Sequence, residues 1–340
     1  VLAESLRDAM ERRDKVAFDD AAQTLFAAIP ELSPEAATET AVGLMPVLAQ
    51  LPWGIGSELV GVVGALCARG AHPSVVLPAL VDRAIEAMAE VEGFKTLAGT
   101  LGIEPPRDRD GEAFNATADA VLDAARSAGI DERQAMSSVE AWFVADDWIQ
   151  PLLYLSQREQ VRLGMPRRAE LSAALDAAQE DLQAAHWLRG LLLVLDGEPL
   201  LVLHRATGQG WRCSMSGIGD NFQLHTLLAN RLAGQIPETA PSPIELAAAE
   251  SGEPVPPGGI TGNLNLVDSY GDWIWNEGRP ADIPEYEGIR VAVIDPPPYP
   301  RTWNAGRLYP LMAPTLTVDA KLTEDDAAAW ISKVKPNIRG

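Results

Sequence analysis

The chain has 340 residues, 47% of them hydrophobic and 22% charged, the proportions of a globular protein large enough for two cores. Its net charge of −21 repels phosphate backbones and anionic lipid, which argues against nucleic-acid or membrane partners. Two cysteines, Cys67 and Cys213, cannot build a disulfide scaffold or a Cys-rich zinc site, so buried thiols in a reducing cytoplasm are the expectation.

The segment Val1-Leu-Ala-Glu-Ser-Leu-Arg-Asp8 carries acids where a secretory leader carries basic residues. No run of about 18 apolar residues follows anywhere in the chain. Ser33-Pro34 reads as an N-cap with proline at the first helical position, opening a helix over 35–50. Further helices are predicted over 57–69, stopped by Gly70, and over 74–92, where Leu77, Leu80, Val81, Ile85 and Met88 keep helical spacing. After the polar break Glu104–Gly111 come helices over 112–128, 131–144, 147–163 and 167–185.

The pattern changes near His186. Leu191–Asp196 and Pro199–Arg205 read as two strands across a Gly-Glu turn, with a third strand over 211–216. Gly217-Ile-Gly-Asp220 opens a helix over 221–232, with Leu224, Leu227, Leu228 and Leu232 on one stripe. The Pro/Ala-rich stretch 236–259 reads as a connector with one short helix from Ile244. Strands follow at 261–268, 272–276, 289–295 and 314–319. The last helix, 324–334, has Thr323 as cap, acids in its first turn and lysines at its end. The expectation is therefore an α+β protein. Residues 1–186 form an all-α antiparallel bundle or short solenoid; residues 187–340 form a mixed, largely antiparallel sheet domain with two or three helices.

Several segments bear on chemistry. Asp295, Pro296, Pro297 and Tyr299, after the apolar strand Val291–Ile294, resemble the Asp-Pro-Pro-Tyr corner of amino-methyltransferases. That resemblance implies an acid and a proline carbonyl holding a target amine, with Tyr299 stacked on its base. Pro298 is an insertion in the motif, and the Gly-rich loop and crossover helices of an AdoMet domain do not precede it. The corner reads instead as a strand ending in prolines that cannot donate to a sheet.

The loop Ser216-Gly-Ile-Gly-Asp220 could present backbone N–H groups to an anion, but Asp220 stands where the anion would sit and reads as an N-cap. Strand alternation buries Cys213 with Trp211 and Met215, and places His204 beside Leu200 and Val202, which argues against a Cys/His dyad. The four histidines show no ligand spacing, and the pairs Asp19-Asp20 and Asp146-Asp147 point apart on helices, so neither a metal nor a cofactor is expected.

One stretch departs from the rest. From Pro296 to Val318 the chain has no acid, while Tyr299, Arg301, Trp303, Arg307 and Tyr309 interleave aromatics with arginine. That is the composition of interface hot spots and of pockets for anionic or planar ligands, and Trp273-Ile-Trp275-Asn276 adds to it. The leading expectation is a cytoplasmic binding or accessory protein presenting residues 299–309 to a peptide, protein or small ligand. An enzyme of specialised metabolism is the alternative, with Asp220, His225 and Asp295 as acid/base groups and Arg301 as anion anchor. A structural assembly subunit is the third.

Overall fold

The computed structural model describes residues 2–237, 240–255, 257–262, 264–297, 299 and 301–337. It divides into two compact units, residues 1–192 and 193–340. An all-α half is followed by a mixed sheet with a few helices, so the chain is α+β.

The first unit holds α1 (Leu2–Glu11), α2 (Lys15–Ala28), α3 (Pro34–Leu48), α4 (Trp53–Ala68), α5 (Leu77–Leu101), α6 (Gly111–Ala128), α7 (Glu132–Leu155), α8 (Glu159–Leu163), α9 (Arg168–Ala178) and α10 (Gln183–Leu192). Ser33 caps α3 by accepting from Ala36 N. Helix α5 runs past the predicted end at 92 because Phe94 and Ala98 stay buried; it stops at Gly102, whose φ of 70° is open to glycine at little cost.

The helices expected over 131–144 and 147–163 are instead one helix, α7, followed by the short α8. Val139, Trp142, Ala145, Trp148, Ile149 and Leu152 carry a buried stripe straight through the Asp146-Asp147 pair, and burial overrides the polar break. The helix expected over 167–185 is split into α9 and α10. Asp146 accepts from Ala184 N at 2.8 Å and so caps the start of α10.

The run Leu191–Asp196 is not a strand. Leu191 and Leu192 complete the buried face of α10 with Ala184, Ala185 and Leu188, the helix-or-strand ambiguity that short apolar runs carry. The hairpin lies one strand later, between β1 (Glu198–His204) and β2 (Gln209–Ser216).

The second unit continues with α11 (Asn221–Arg231), α12 (Pro243–Ser251), β3 (Ile260–Gly262), β4 (Asn265–Val267), β5 (Glu285–Tyr286), β6 (Ile289–Asp295), β7 (Arg301–Trp303), β8 (Thr315–Lys321) and α13 (Glu324–Lys333). Helix α12 is the short helix expected in the connector, and Ser242 and Glu245 close a capping box at its start. Glu238, Thr239 and Pro256 of that connector lie outside the described residues. So does Asn263 of the expected strand 261–268, which appears as the two short strands β3 and β4.

The sheet order is β4-β6-β1-β2-β8, with β5 also on β6, and β3 pairs with β7 in a separate two-stranded ribbon. Among the described strand pairs, β1 with β6 is parallel and the others are antiparallel. One sheet face (Leu200, Val202, Trp211, Cys213, Met215, Ala292, Ile294) packs on α11 through Leu224, Leu227, Leu228 and Leu232. The other face (Leu201, Leu203, Val291, Val293) packs on Trp330, Ile331 and Val334 at α13.

The expected strand 272–276 does not form. Asp268 accepts from Tyr270 N at 2.8 Å and Asp272 N at 3.1 Å, folding the chain back in an Asx-type turn. Ile274 N then donates to Leu266 O. This tight return places Trp273, Trp275 and Asn276 beside β7.

Candidate functional site

The turn after β4 and the strand β7 enclose an open cleft of about 670 Å³. Its walls are Trp275 and Tyr299, 53% and 55% exposed, and Phe222, Val255 and Asn304 are among the residues that also line it. Trp273 is the hub. Its ring centroid lies 5.9 Å from that of Trp275 and 6.1 Å from that of Tyr299, and its indole N–H donates to Asn337 Oδ1 at 3.1 Å.

Arg301 closes the cleft from β7. Its guanidinium carbon sits 5.1 Å from the Trp273 ring centre, within cation–π range. Its Nη1 donates to Asn265 Oδ1, and its Nη2 to Asn276 Oδ1 at 3.2 Å. Both asparagines are buried. Their oxygens are neutral acceptors, so they fix the guanidinium without cancelling its charge. Burial pushes the Arg301 pKa down, against the partial support of Tyr299 and Glu277.

The remaining residues of the 299–309 stretch do other work. Trp303 is buried in the sheet-and-α11 core and donates to Thr226 Oγ1 at 3.0 Å. Tyr309 is buried, which pushes its phenol up to about 12. Arg307 donates to the backbone oxygens of Glu250, Met312 and Pro310, which ties the end of α12 to the 310–312 turn. The stretch is thus mostly a structural strap; Tyr299 and Arg301 give the cleft its exposed ring and its cation, with Thr302, Trp303 and Asn304 beside them in the lining.

The three acid/base candidates are not brought together. Asp220 caps α11, accepting from Gln223 N at 2.8 Å, and burial pushes its carboxyl up to about 6. His225, one turn on, is fully buried; its Nδ1 lies 2.6 Å from Asn221 O, and burial holds its pKa down near 4. Asp295 points to the opposite sheet face, in register with Val291 and Val293, and pairs with Arg205 at 2.7 Å. Arg205 also donates to Lys335 O, so Asp295 anchors the segment after α13.

The glycine loop before α11 is likewise committed. Asn221 N and Phe222 N donate to the Gly278 and Asn276 oxygens, and Gly219 N donates to Gln223 Oε1. Gly217 has φ of 65°, and a Cβ there would stand 2.6 Å from Ala313 O, so close backbone approach explains this glycine. Cys213 is buried, its thiol pushed up to about 12, and His204 is buried with Nδ1 2.7 Å from Thr207 Oγ1. Among the described residues no group of three or more His, Cys, Asp or Glu could hold a metal ion. Among them, too, no helix is long and apolar enough to cross a membrane.

Two larger clefts lie in the helical unit. One, about 980 Å³, contains Arg83, but that cation is already paired with Glu86 at 2.9 Å and stacked on Trp53 and Trp148. The other, about 780 Å³, is lined by Phe18, Phe26 and Ile55 and by mixed surface charges. Neither offers a buried cation held only by neutral groups. Sequence reasoning missed Asn265, because an asparagine in a short polar run carries no signal until β4 and β7 meet. No family model, curated protein or solved structure matches the chain.

Proposed function

We propose that this is a cytoplasmic binding protein that holds a small ligand in the cleft of Trp273, Trp275, Tyr299 and Arg301. One observation carries the reading: a half-buried guanidinium held, among the described residues, by the neutral amides of Asn265 and Asn276, beside two aromatic rings left half exposed. Leaving large rings in water and a cation partly desolvated costs stability, and an occupant relieves both. The volume of about 670 Å³ is in the range that small-molecule sites occupy. Cys67 and Cys213 are both unbridged and buried, which fits a reducing compartment.

The test uses the two exposed walls, because replacing Trp275 and Tyr299 by Ala leaves the buried Trp303 in place. Wild-type and W275A/Y299A chains are incubated with small molecules extracted from the source cells, and the retained compounds are identified by mass spectrometry. The reading expects compounds held by the wild type and lost from the variant. Identical retention by two folded proteins refutes it.

A further inference from the structure

We infer that the occupant is a planar monoanion, an aromatic ring bearing one carboxylate, with its ring on Trp275 and Tyr299 and its carboxylate on Arg301. This rests on reading the cleft as a binding site and assigns the chemistry of what fills it. The cation decides the sign. Among the described residues, two of the five guanidinium donors go to Asn265 and Asn276, which leaves the others to a ligand. The guanidinium fork matches a carboxylate in shape, and its orientation is fixed by amides that are themselves buried, so little entropy is lost when an anion docks.

The charge balance limits the anion to one negative charge. Arg307, the other arginine of the acid-free stretch, is spent on the backbone oxygens of Glu250, Met312 and Pro310. Glu277 lines the same cleft, is exposed, and sets a negative charge near Arg301. A phosphate dianion meets one cation and one acid here, whereas phosphate sites gather several donors of positive charge. The aromatic part follows from Trp275 and Tyr299, whose rings are each inclined to that of Trp273, at 66° and 68°, and half exposed. A flat ring of comparable size buries against them, with offset or edge contact.

The experiment titrates the full chain with 2-naphthoate, 2-naphthamide and 2-naphthylmethylammonium, which share one ring system and differ in charge, following tryptophan fluorescence and ligand-observed NMR. Naphthoate is expected to bind about 10–100-fold more tightly than the amide, the range of a charge-assisted hydrogen-bond pair, with the ammonium weakest. In R301Q the preference for naphthoate over the amide should vanish, and in W275A/Y299A all three affinities should fall. The ranking on the unaltered chain decides the matter even if R301Q fails to fold. An amide that binds as well as naphthoate, a preference for the ammonium, or no naphthoate binding at about 5 mM, a generous limit for a ligand of this size, overturns the inference. If naphthoate fails while W275A/Y299A still loses the retained compounds, the cleft binds something of other chemistry; the binding reading stands and the carboxylate falls.

Discussion

Replacing Asp220 by Asn distinguishes a helix cap from a catalytic acid. Asp220 is 8% exposed and caps α11, and burial raises its carboxyl from 3.8 to about 6. A carboxyl whose folded pKa lies above its unfolded one favours the fold when protonated. Its contribution is full below about 3.8 and is lost as the pH rises through about 6. At 1.36 kcal/mol per pH unit, ionised Asp220 costs the second unit about 3 kcal/mol at pH 7 and about 0.5 kcal/mol at pH 4. Asn retains the capping oxygen and carries no charge, so D220N should exceed the wild type in stability at pH 7, and the gain should shrink by about 2.5 kcal/mol on going to pH 4.

His225 works in the same window with the opposite sign. Its pKa is lowered from 6.5 to about 4, so its contribution is present above about 6.5 and is lost as the pH falls towards 4. The two trends offset each other in the wild type, and D220N should expose the acid destabilisation from His225. Urea unfolding at pH 4, 5.5 and 7, followed by tryptophan fluorescence and circular dichroism, reads these differences. A D220N variant less stable than the wild type at pH 7 would contradict the reasoning and show that the fold depends on the Asp220 charge.

Other outcomes follow from the same contacts. W303A should cost about 3–5 kcal/mol in chemical unfolding, because Trp303 is 3% exposed and its indole N–H bonds Thr226; a cost under about 1 kcal/mol would move this ring out of the core. G56A should lower the melting temperature, with a net cost of about 1–3 kcal/mol despite alanine's better helix propensity. An added Cβ would stand 2.2 Å from the fully buried Trp148 ring. E277Q should raise naphthoate affinity about 2–3-fold at low salt and less at high salt, since an exposed acid facing Arg301 is readily screened. Isothermal titration at two ionic strengths checks it.

Much of the fold is legible in the sequence because local signals and burial agree there. Ser33-Pro34, and Thr323 with its following acids, each mark a helix start that forms as read. The misread segments are those where tertiary burial decides between equal local options. Leu191–Asp196 is as apolar as a strand, but its first two leucines finish a helix face seeded by the Asp146 cap. Trp273–Asn276 has strand composition, but Asp268 turns the chain before a ladder can form. The cleft is half legible for a similar reason. The absence of acids singles out 299–309, and Trp273 and Trp275 join it only as neighbouring aromatics, but composition cannot say which aromatic rings face inward. Trp303 and Tyr309 go to the core, and the neutral cradle of Arg301 comes from Asn265 and Asn276 on other segments.

The most direct measurement is a crystal structure of the chain grown with 2-naphthoate. The account predicts the ring against Trp275 and Tyr299, and a carboxylate oxygen within about 3 Å of an Arg301 nitrogen. A ligand seated instead in the clefts of the helical unit, with the Trp273–Arg301 cleft empty, would contradict it.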